Sequence, residues 1–262
     1  MAGRTFAIGD IHGEPAHFAR VWAQLPALDA ADTVVFLGDY VNRGPASKAV
    51  LEALMTLPQS TPAKVVCLRG NHEDAWLRVR SEGWDEFVLD LDHGCFPTLR
   101  SFTGGAVPKT REKPTDREMG LMASGDFFPA AVIEWMRQLP FWYEDERGIY
   151  VHAGLPGVDG NFLHPAQVQP PALVAWRRTD DFVRNYRGPK VVFGHTPVTL
   201  LPGDLSSYTP DDPDDAWVNE NVVGLDTGCG LGGFLTALEL PAMRMYESRV
   251  SKKGAGVRKA PA

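Results

Sequence analysis

Cysteine is scarce: Cys67, Cys95 and Cys229 stand far apart in 262 residues, with no CxxC pair. An odd, scattered set argues against a disulfide framework and against a thiolate zinc site. Long apolar runs are also missing. None approaches the roughly 20 residues of a membrane helix, and the apolar stretch after Met1-Ala2-Gly3-Arg4-Thr5 stops at Gly9-Asp10, too soon for a signal peptide. These absences lead us to expect a cytoplasmic protein with no membrane partner. Excess positive charge is lacking too. Lys+Arg number 26 against 33 Asp+Glu, a net charge of −7, so no stable nucleic-acid binding is expected. What remains is a globular composition, 44% hydrophobic and 23% charged, which excludes disordered and fibrous chains. The length suits one large domain with a sizeable core.

Short apolar runs alternate with helical patterns. Phe6-Ala7-Ile8, Val34-Val35-Phe36-Leu37 and Lys64-Val65-Val66-Cys67-Leu68 read as strands, with helices predicted over 14–25 and 46–57 between them. The rhythm is that of an α/β fold. Residues 74–137, rich in Trp and Phe, read as a mainly helical insertion. Strand runs resume at Gly148–Val151, Lys190–Phe193, Val222–Leu225 and Leu235–Leu240. We expect one domain over 1–247 and a basic, disordered tail over 248–262.

Chemistry-bearing residues recur where the strand runs stop. Asp10 and His12 follow the first, Asp39 the second, Asn71 and His72 the third, His152 the fourth and His195 the fifth. In an open α/β sheet the carboxyl ends of strands form the ligand site, so these residues should converge. With His72 set aside, two carboxylates, three imidazoles and an amide oxygen suit Mn, with Fe or Zn also possible. Six ligands are too many for one tetrahedral ion but suit two ions sharing a carboxylate, about 3.5–4 Å apart, as in phosphoryl displacement. Glycines beside the ligands allow sharp turns.

The blocks Gly9-Asp10-Ile11-His12-Gly13, Gly38-Asp39-Tyr40-Val41-Asn42-Arg43-Gly44, Gly70-Asn71-His72-Glu73, Val151-His152-Ala153-Gly154 and Gly194-His195-Thr196 resemble the calcineurin-like metallophosphoesterases, most of all their Ser/Thr protein phosphatase branch and its bacterial relatives. The resemblance implies a four-layer α/β/β/α sandwich. It implies that Asp10 and His12 hold one metal, that Asp39 bridges, and that Asn71, His152 and His195 hold the second. His72 would protonate the leaving oxygen, and Arg43 would hold phosphate oxygens. A second phosphate arginine is implied near Trp176-Arg177-Arg178, with the spacing favouring Arg178.

One position departs from the protein phosphatases, which carry aspartate just before the arginine of the second block. Here it is Asn42. Asparagine can orient the His72 ring but supplies no charge, so the acid should be protonated less often. The symmetrical dinucleoside tetraphosphatases also lack that aspartate. The first expectation is a dinuclear phosphatase that hydrolyses phosphoserine or phosphothreonine in protein through a metal-bound hydroxide. The alternatives are a dinucleoside tetraphosphatase or other nucleotide phosphohydrolase, and a catalytically silent phosphate-binding module. The partner is thus a phosphoprotein or a small phosphate compound. Outside the blocks, His17, His93 and His164 read as surface or core histidines and Cys67 as an inert thiol. The insertion's aromatics read as core before substrate wall, and Asp211–Asp215 as a solvated acidic loop.

Overall fold

The computed structural model describes residues 3–158, 160–177, 180–208, 212–249 and 257–259. The strands among them are β1 (Thr5–Ile8), β2 (Thr33–Phe36), β3 (Lys64–Cys67), β4 (Trp142–Asp145), β5 (Gly148–Val151), β6 (Gly157–Val158), β7 (Asn161–Phe162), β8 (Val191–Phe193), β9 (Trp217–Val218), β10 (Val222–Gly224), β11 (Thr236–Leu240), β12 (Arg244–Glu247) and β13 (Val257–Lys259). The helices are α1 (Pro15–Gln24), α2 (Ser47–Thr56), α3 (Asn71–Glu82), α4 (Glu86–Leu89), α5 (Cys95–Thr103), α6 (Asp116–Ser124), α7 (Ala130–Gln138), α8 (Leu173–Trp176) and α9 (Asp180–Asn185). No described helix is long and apolar enough to cross a membrane.

The strands form two mixed sheets, ordered β13-β12-β11-β1-β2-β3 and β4-β5-β8-β10-β9, with β6 and β7 as a separate hairpin. In the six-stranded sheet the parallel strands β1-β2-β3 form one end, with antiparallel β11 beside β1; in the five-stranded sheet the parallel strands β5-β8-β10 are central, with antiparallel β4 and β9 at the edges. The alternation of side chains along a strand explains the layers. Phe6, Ile8, Val34 and Phe36 face outward onto Val21, Val50, Leu51 and Leu54 of α1 and α2. Ala7, Val35 and Leu37 face inward, where they meet Tyr150, Val192 and Val223 of the second sheet. That sheet's outer face, with Ile149, Val151, Val191 and Phe193, packs on Val174, Phe182 and Val183 of α8 and α9. The result is the four-layer α/β/β/α sandwich.

The expected insertion over 74–137 holds most of α3, all of α4 to α6 and all but the last residue of α7. Its first helix, α3, starts at Asn71, ahead of the expected boundary. Trp76 and Phe128 are buried in the insertion's core.

Of the expected disordered tail over 248–262, only 248–249 and 257–259 are among the described residues. Val257–Lys259 pairs with β12 as an antiparallel edge strand, satisfying a row of backbone groups that would otherwise be open. Arg249 turns back onto Glu247 at 2.6 Å and Asp212 at 2.7 Å. Part of the acidic loop is therefore neutralised rather than solvated, and Asp215 is 4% exposed. Asp211 lies outside the described residues.

Candidate active site

The parallel strands of both sheets end at one edge of the sandwich and deliver Asp10, His12, Asp39, Asn71, His72, His152 and His195 there. All are buried except His195, which is half-buried. The loops after β1 and β2 are tied together by N–H groups of Ile11 and His12, which donate to the Asp39 carbonyl at 3.1 and 2.9 Å. The backbone is strained at this edge. Among the described residues, seven non-glycine positions have positive φ, and five of them are His12, Asp39, Asn42, Arg43 and His195. Such conformations cost on the order of 1–3 kcal/mol each and persist only when packing over-determines them. Glycines serve the site in two ways. Gly38 takes φ +110°, whereas Gly194 makes room, since a Cβ there would lie 2.0 Å from Asp10 Oδ1.

Asp39 has one oxygen toward each of two histidine groups. Its Oδ2 is 3.6 Å from His12 Nε2 and 3.7 Å from His72 Nε2. Its Oδ1 is 3.3 Å from His152 Nε2. His12 and His152 each have Nδ1 beside a carbonyl, of Val41 and Leu37, both at 2.9 Å. A carbonyl only accepts, so each Nδ1 carries hydrogen and Nε2 is left for a ligand. His152 Nε2 faces Asn71 Oδ1 at 2.9 Å, and His195 Nδ1 reaches the same oxygen at 2.9 Å. Asp10 Oδ2 accepts the His195 N–H at 2.9 Å, while Asp10 Oδ1 is buried with no hydrogen-bond partner. Two clusters, His12-Asp39-His72 and Asp39-His152-His195, bring their ligand atoms within 4.8 Å of one another. The donor set and the orphaned Asp10 oxygen fit divalent cations.

The electrostatics are those of charges packed without solvent. Burial, reinforced by Asp226 and Asp39, pushes the Asp10 carboxyl well up. Burial also raises Asp39, but His152, His72 and His12 outweigh it and hold Asp39 well below the usual carboxylate range. Burial and Arg43 push His12 down to about 4. Burial opposes charge on His152, yet Asp39, Asp10 and Glu73 lift it to about 9. Arg43 Nη1 donates to His12 Nε2 at 2.7 Å, and one lone pair cannot serve both that N–H and a cation.

Asn42 is fixed by donors. Trp76 Nε1–H and the Thr98 hydroxyl both donate to its Oδ1, each at 3.0 Å. An indole N–H can only donate, so the amide orientation is settled and Nδ2 is the atom facing His72. It lies 2.7 Å from His72 Nδ1 and 3.1 Å from Cys95 Sγ. His72 Nδ1 must therefore accept, which leaves the hydrogen of a neutral ring on Nε2. Burial, with Arg43 and His12, also pushes His72 well below the usual histidine range.

Three features escape the sequence reading. Glu73 accepts four backbone N–H groups, those of Gly70, Asp39, Tyr40 and Val41, at 2.8–3.2 Å. It thereby joins the loop after β2 to the start of α3. Only its place as third residue of a helix, where glutamate reaches back to the cap, could have signalled this. Asp226, buried after β10, has an unpartnered Oδ2, and burial pushes its carboxyl up to about 6. His93 is no remote histidine: its ring lies 6.3 Å from that of His72. His17 Nδ1 instead meets Ser248 Oγ, and His164 pairs with Glu144 on the surface. Arg177 is exposed after α8, and Arg178 lies outside the described residues.

The sequence model of the calcineurin-like phosphoesterases matches residues 3–225. A bis(5'-nucleosyl)-tetraphosphatase PrpE, asymmetrical, of Anoxybacillus flavithermus is 27% identical over 90% of each chain. A symmetrical bis(5'-nucleosyl)-tetraphosphatase of Burkholderia thailandensis is 31% identical over 78% of this chain and 56% of its own length. A solved structure described as a putative diadenosine tetraphosphatase shares the fold, with a TM-score of 0.56 at 21% identity, covering 94% of this chain and 93% of the other.

Proposed function

This chain belongs to the calcineurin-like phosphoesterase family, and from that premise we propose that its substrates are phosphoanhydrides of the dinucleoside polyphosphate class rather than phosphoserine or phosphothreonine in protein. It is a metal-dependent phosphoric ester hydrolase. The observation that carries the substrate choice is the Asn42–His72 contact. A serine or threonine alkoxide is a poor leaving group and needs a proton from a charged imidazolium. An imidazolium at His72 would point an N–H from Nδ1 at the amide N–H of Asn42, donor against donor. The neutral ring instead offers Nε2–H as a hydrogen bond to developing negative charge, without giving up its proton. A phosphate or nucleotide leaving group needs no more than that. The names of the relatives support the same reading, and they divide between asymmetrical and symmetrical cleavage.

In this reading Asp10, His12, Asp39, Asn71, His152 and His195 would hold two divalent cations, manganese first, with Asp39 between them. Such ions supply a water ionised at neutral pH and a clamp on phosphoryl oxygens. Arg43 would leave His12 to grip a phosphate with its guanidinium fork. Asn42 positions His72 through the network of Trp76 and Thr98. Arg178 would complete the phosphate grip.

Phosphorus NMR of one mixture tests this. With Mn(II), the protein should convert diadenosine tetraphosphate to mononucleotides while a phosphoserine peptide in the same tube stays intact. Loss of the peptide's phosphate first would restore the protein phosphatase reading. Loss of neither would favour a silent binding module.

A further inference from the structure

We propose that the indoles of Trp84 and Trp176, seated on Phe87 at the rim of the site, form a stacking subsite for one base of a nucleotide ligand. The inference rests on the nucleotide reading above. Helix α3 carries Asn71 and His72 in its first turn and ends at Gly83, whose φ of +69° turns the chain. That turn sends Trp84 and α4 back along the helix. Phe87 then meets the His72 ring edge-on at 5.2 Å. Trp84 and Trp176 lie 5.7 and 5.6 Å from Phe87 and 5.6 Å from each other. The two indoles are thus two ring contacts from His72.

Both indoles are half-buried, so each keeps surface open. Their positions are fixed. The Trp176 N–H donates to Asp74 Oδ2 at 2.8 Å, and Asp74 is on α3 itself, two residues after His72. The Arg78 guanidinium sits 4.1 Å over the Trp84 ring. His93 stacks on Phe87 at 3.9 Å and 11°. Nearby Leu89 and Leu91 are 39% and 43% exposed.

Apolar and aromatic surface beside a phosphate site does nothing for a bare phosphate. It suits a ligand with a flat ring joined to its phosphates by a short sugar. Every base has a π face, and stacking on an aromatic side chain strengthens binding about tenfold. The wall also joins the two halves of the sandwich, since Trp84 follows α3 and Trp176 ends α8. A base held there would be fixed relative to ligands from both sheets.

The test measures inhibition of p-nitrophenyl phosphate hydrolysis by two non-hydrolysable compounds, with free Mn(II) held constant. One is adenosine α,β-methylene diphosphate. The other is methylenediphosphonate, which lacks the nucleoside. In the natural protein the nucleotide should inhibit about tenfold more tightly than the bare diphosphonate. Trp84→Ala and Trp84→Leu should abolish that ratio, and Trp84→Phe should keep most of it. The leucine variant retains apolar bulk, so it separates lost stacking from a collapsed wall. A ratio near one in the natural protein, or a ratio unchanged in Trp84→Leu, would overturn the proposal. No dinucleoside polyphosphate is turned over in this assay, so failure of the substrate reading and failure of the stacking site are seen separately.

Discussion

Asn42 Nδ2 lies 2.7 Å from His72 Nδ1, and the amide that makes this contact cannot rotate without losing the Trp76 and Thr98 hydrogen bonds to its oxygen. In the proposed reading asparagine does more than omit a charge: its Nδ2–H faces His72 Nδ1 and favours the neutral form of the histidine. Asn42→Asp should reverse this. A carboxylate accepts from Nδ1–H and favours the imidazolium. We expect kcat/KM on a phosphoserine peptide to rise about tenfold or more relative to that on diadenosine tetraphosphate, within the usual range for general acid catalysis. Steady-state rates on both substrates measure it, and equal change on the two would refute the role given to Asn42.

Glu73 gathers four N–H groups on one carboxylate. Glu73→Gln puts an NH2 where two of those donors point. Leaving buried donors unsatisfied costs about 1–3 kcal/mol each, so unfolding free energy should fall by about 3 kcal/mol. Urea denaturation reads this. Turnover should fall as well, because Asp39 loses the tie that sets its loop.

Stripping metal should remove phosphate affinity along with activity. Without cations the site keeps the Asp39 carboxylate facing any anion. Titration calorimetry should find two Mn(II) per chain and phosphate binding only after they are loaded. Asp39→Asn should weaken both Mn(II) events, since each Asp39 oxygen serves a different group of histidines. Tight phosphate binding by the metal-free protein would count against the site.

Acid stability has a separate anchor. Asp32 is 2% exposed and takes hydrogen bonds from the Arg4 backbone N–H at 2.9 Å and the guanidinium Nε at 3.1 Å. Burial raises its carboxyl, but the bonds from Arg4 outweigh that and hold it below the ordinary value. A carboxyl lowered in the folded state stabilises above its unfolded pKa, roughly 3.9. That stability is lost as pH falls through the lower folded value. Asp32→Asn should therefore lower stability at pH 7 by about 1–3 kcal/mol. It should also flatten the loss of stability below pH 4, as read by thermal melts across pH.

The sequence anticipated which residues the structure brings together because strand ends are a simple rule. Asp10, Asp39, Asn71, His152 and His195 each stand just past a short apolar run, and parallel strands place such positions together. The alternation of Phe6, Ala7 and Ile8 likewise anticipated the two faces of the first sheet. What stayed hidden depends on long-range geometry. Asn42 meets Trp76, Cys95 and Thr98, which come from helices 34–56 residues away, and no local pattern records that. His93 reads as an unremarkable histidine until α4 folds back along α3. The two-residue strand β9 and the strand β13, inside a basic segment, carry too little apolar pattern to announce themselves. The motif blocks are shared across branches of the family, so alone they do not separate a protein phosphatase from a tetraphosphatase. The arrangement at Asn42 depends on the donors that face its oxygen and the acceptors that face its nitrogen.

The leaving-group dependence of kcat/KM for the natural protein tests the central claim most directly. A series of aryl and alkyl phosphates with leaving groups of graded acidity would be compared with Mn(II) present. If His72 stays neutral and only hydrogen-bonds the departing oxygen, negative charge builds up there and the rates climb steeply with leaving-group acidity. A shallow dependence, with alkyl phosphates hydrolysed nearly as fast as activated aryl phosphates, would mean that His72 gives up a proton and would contradict the account.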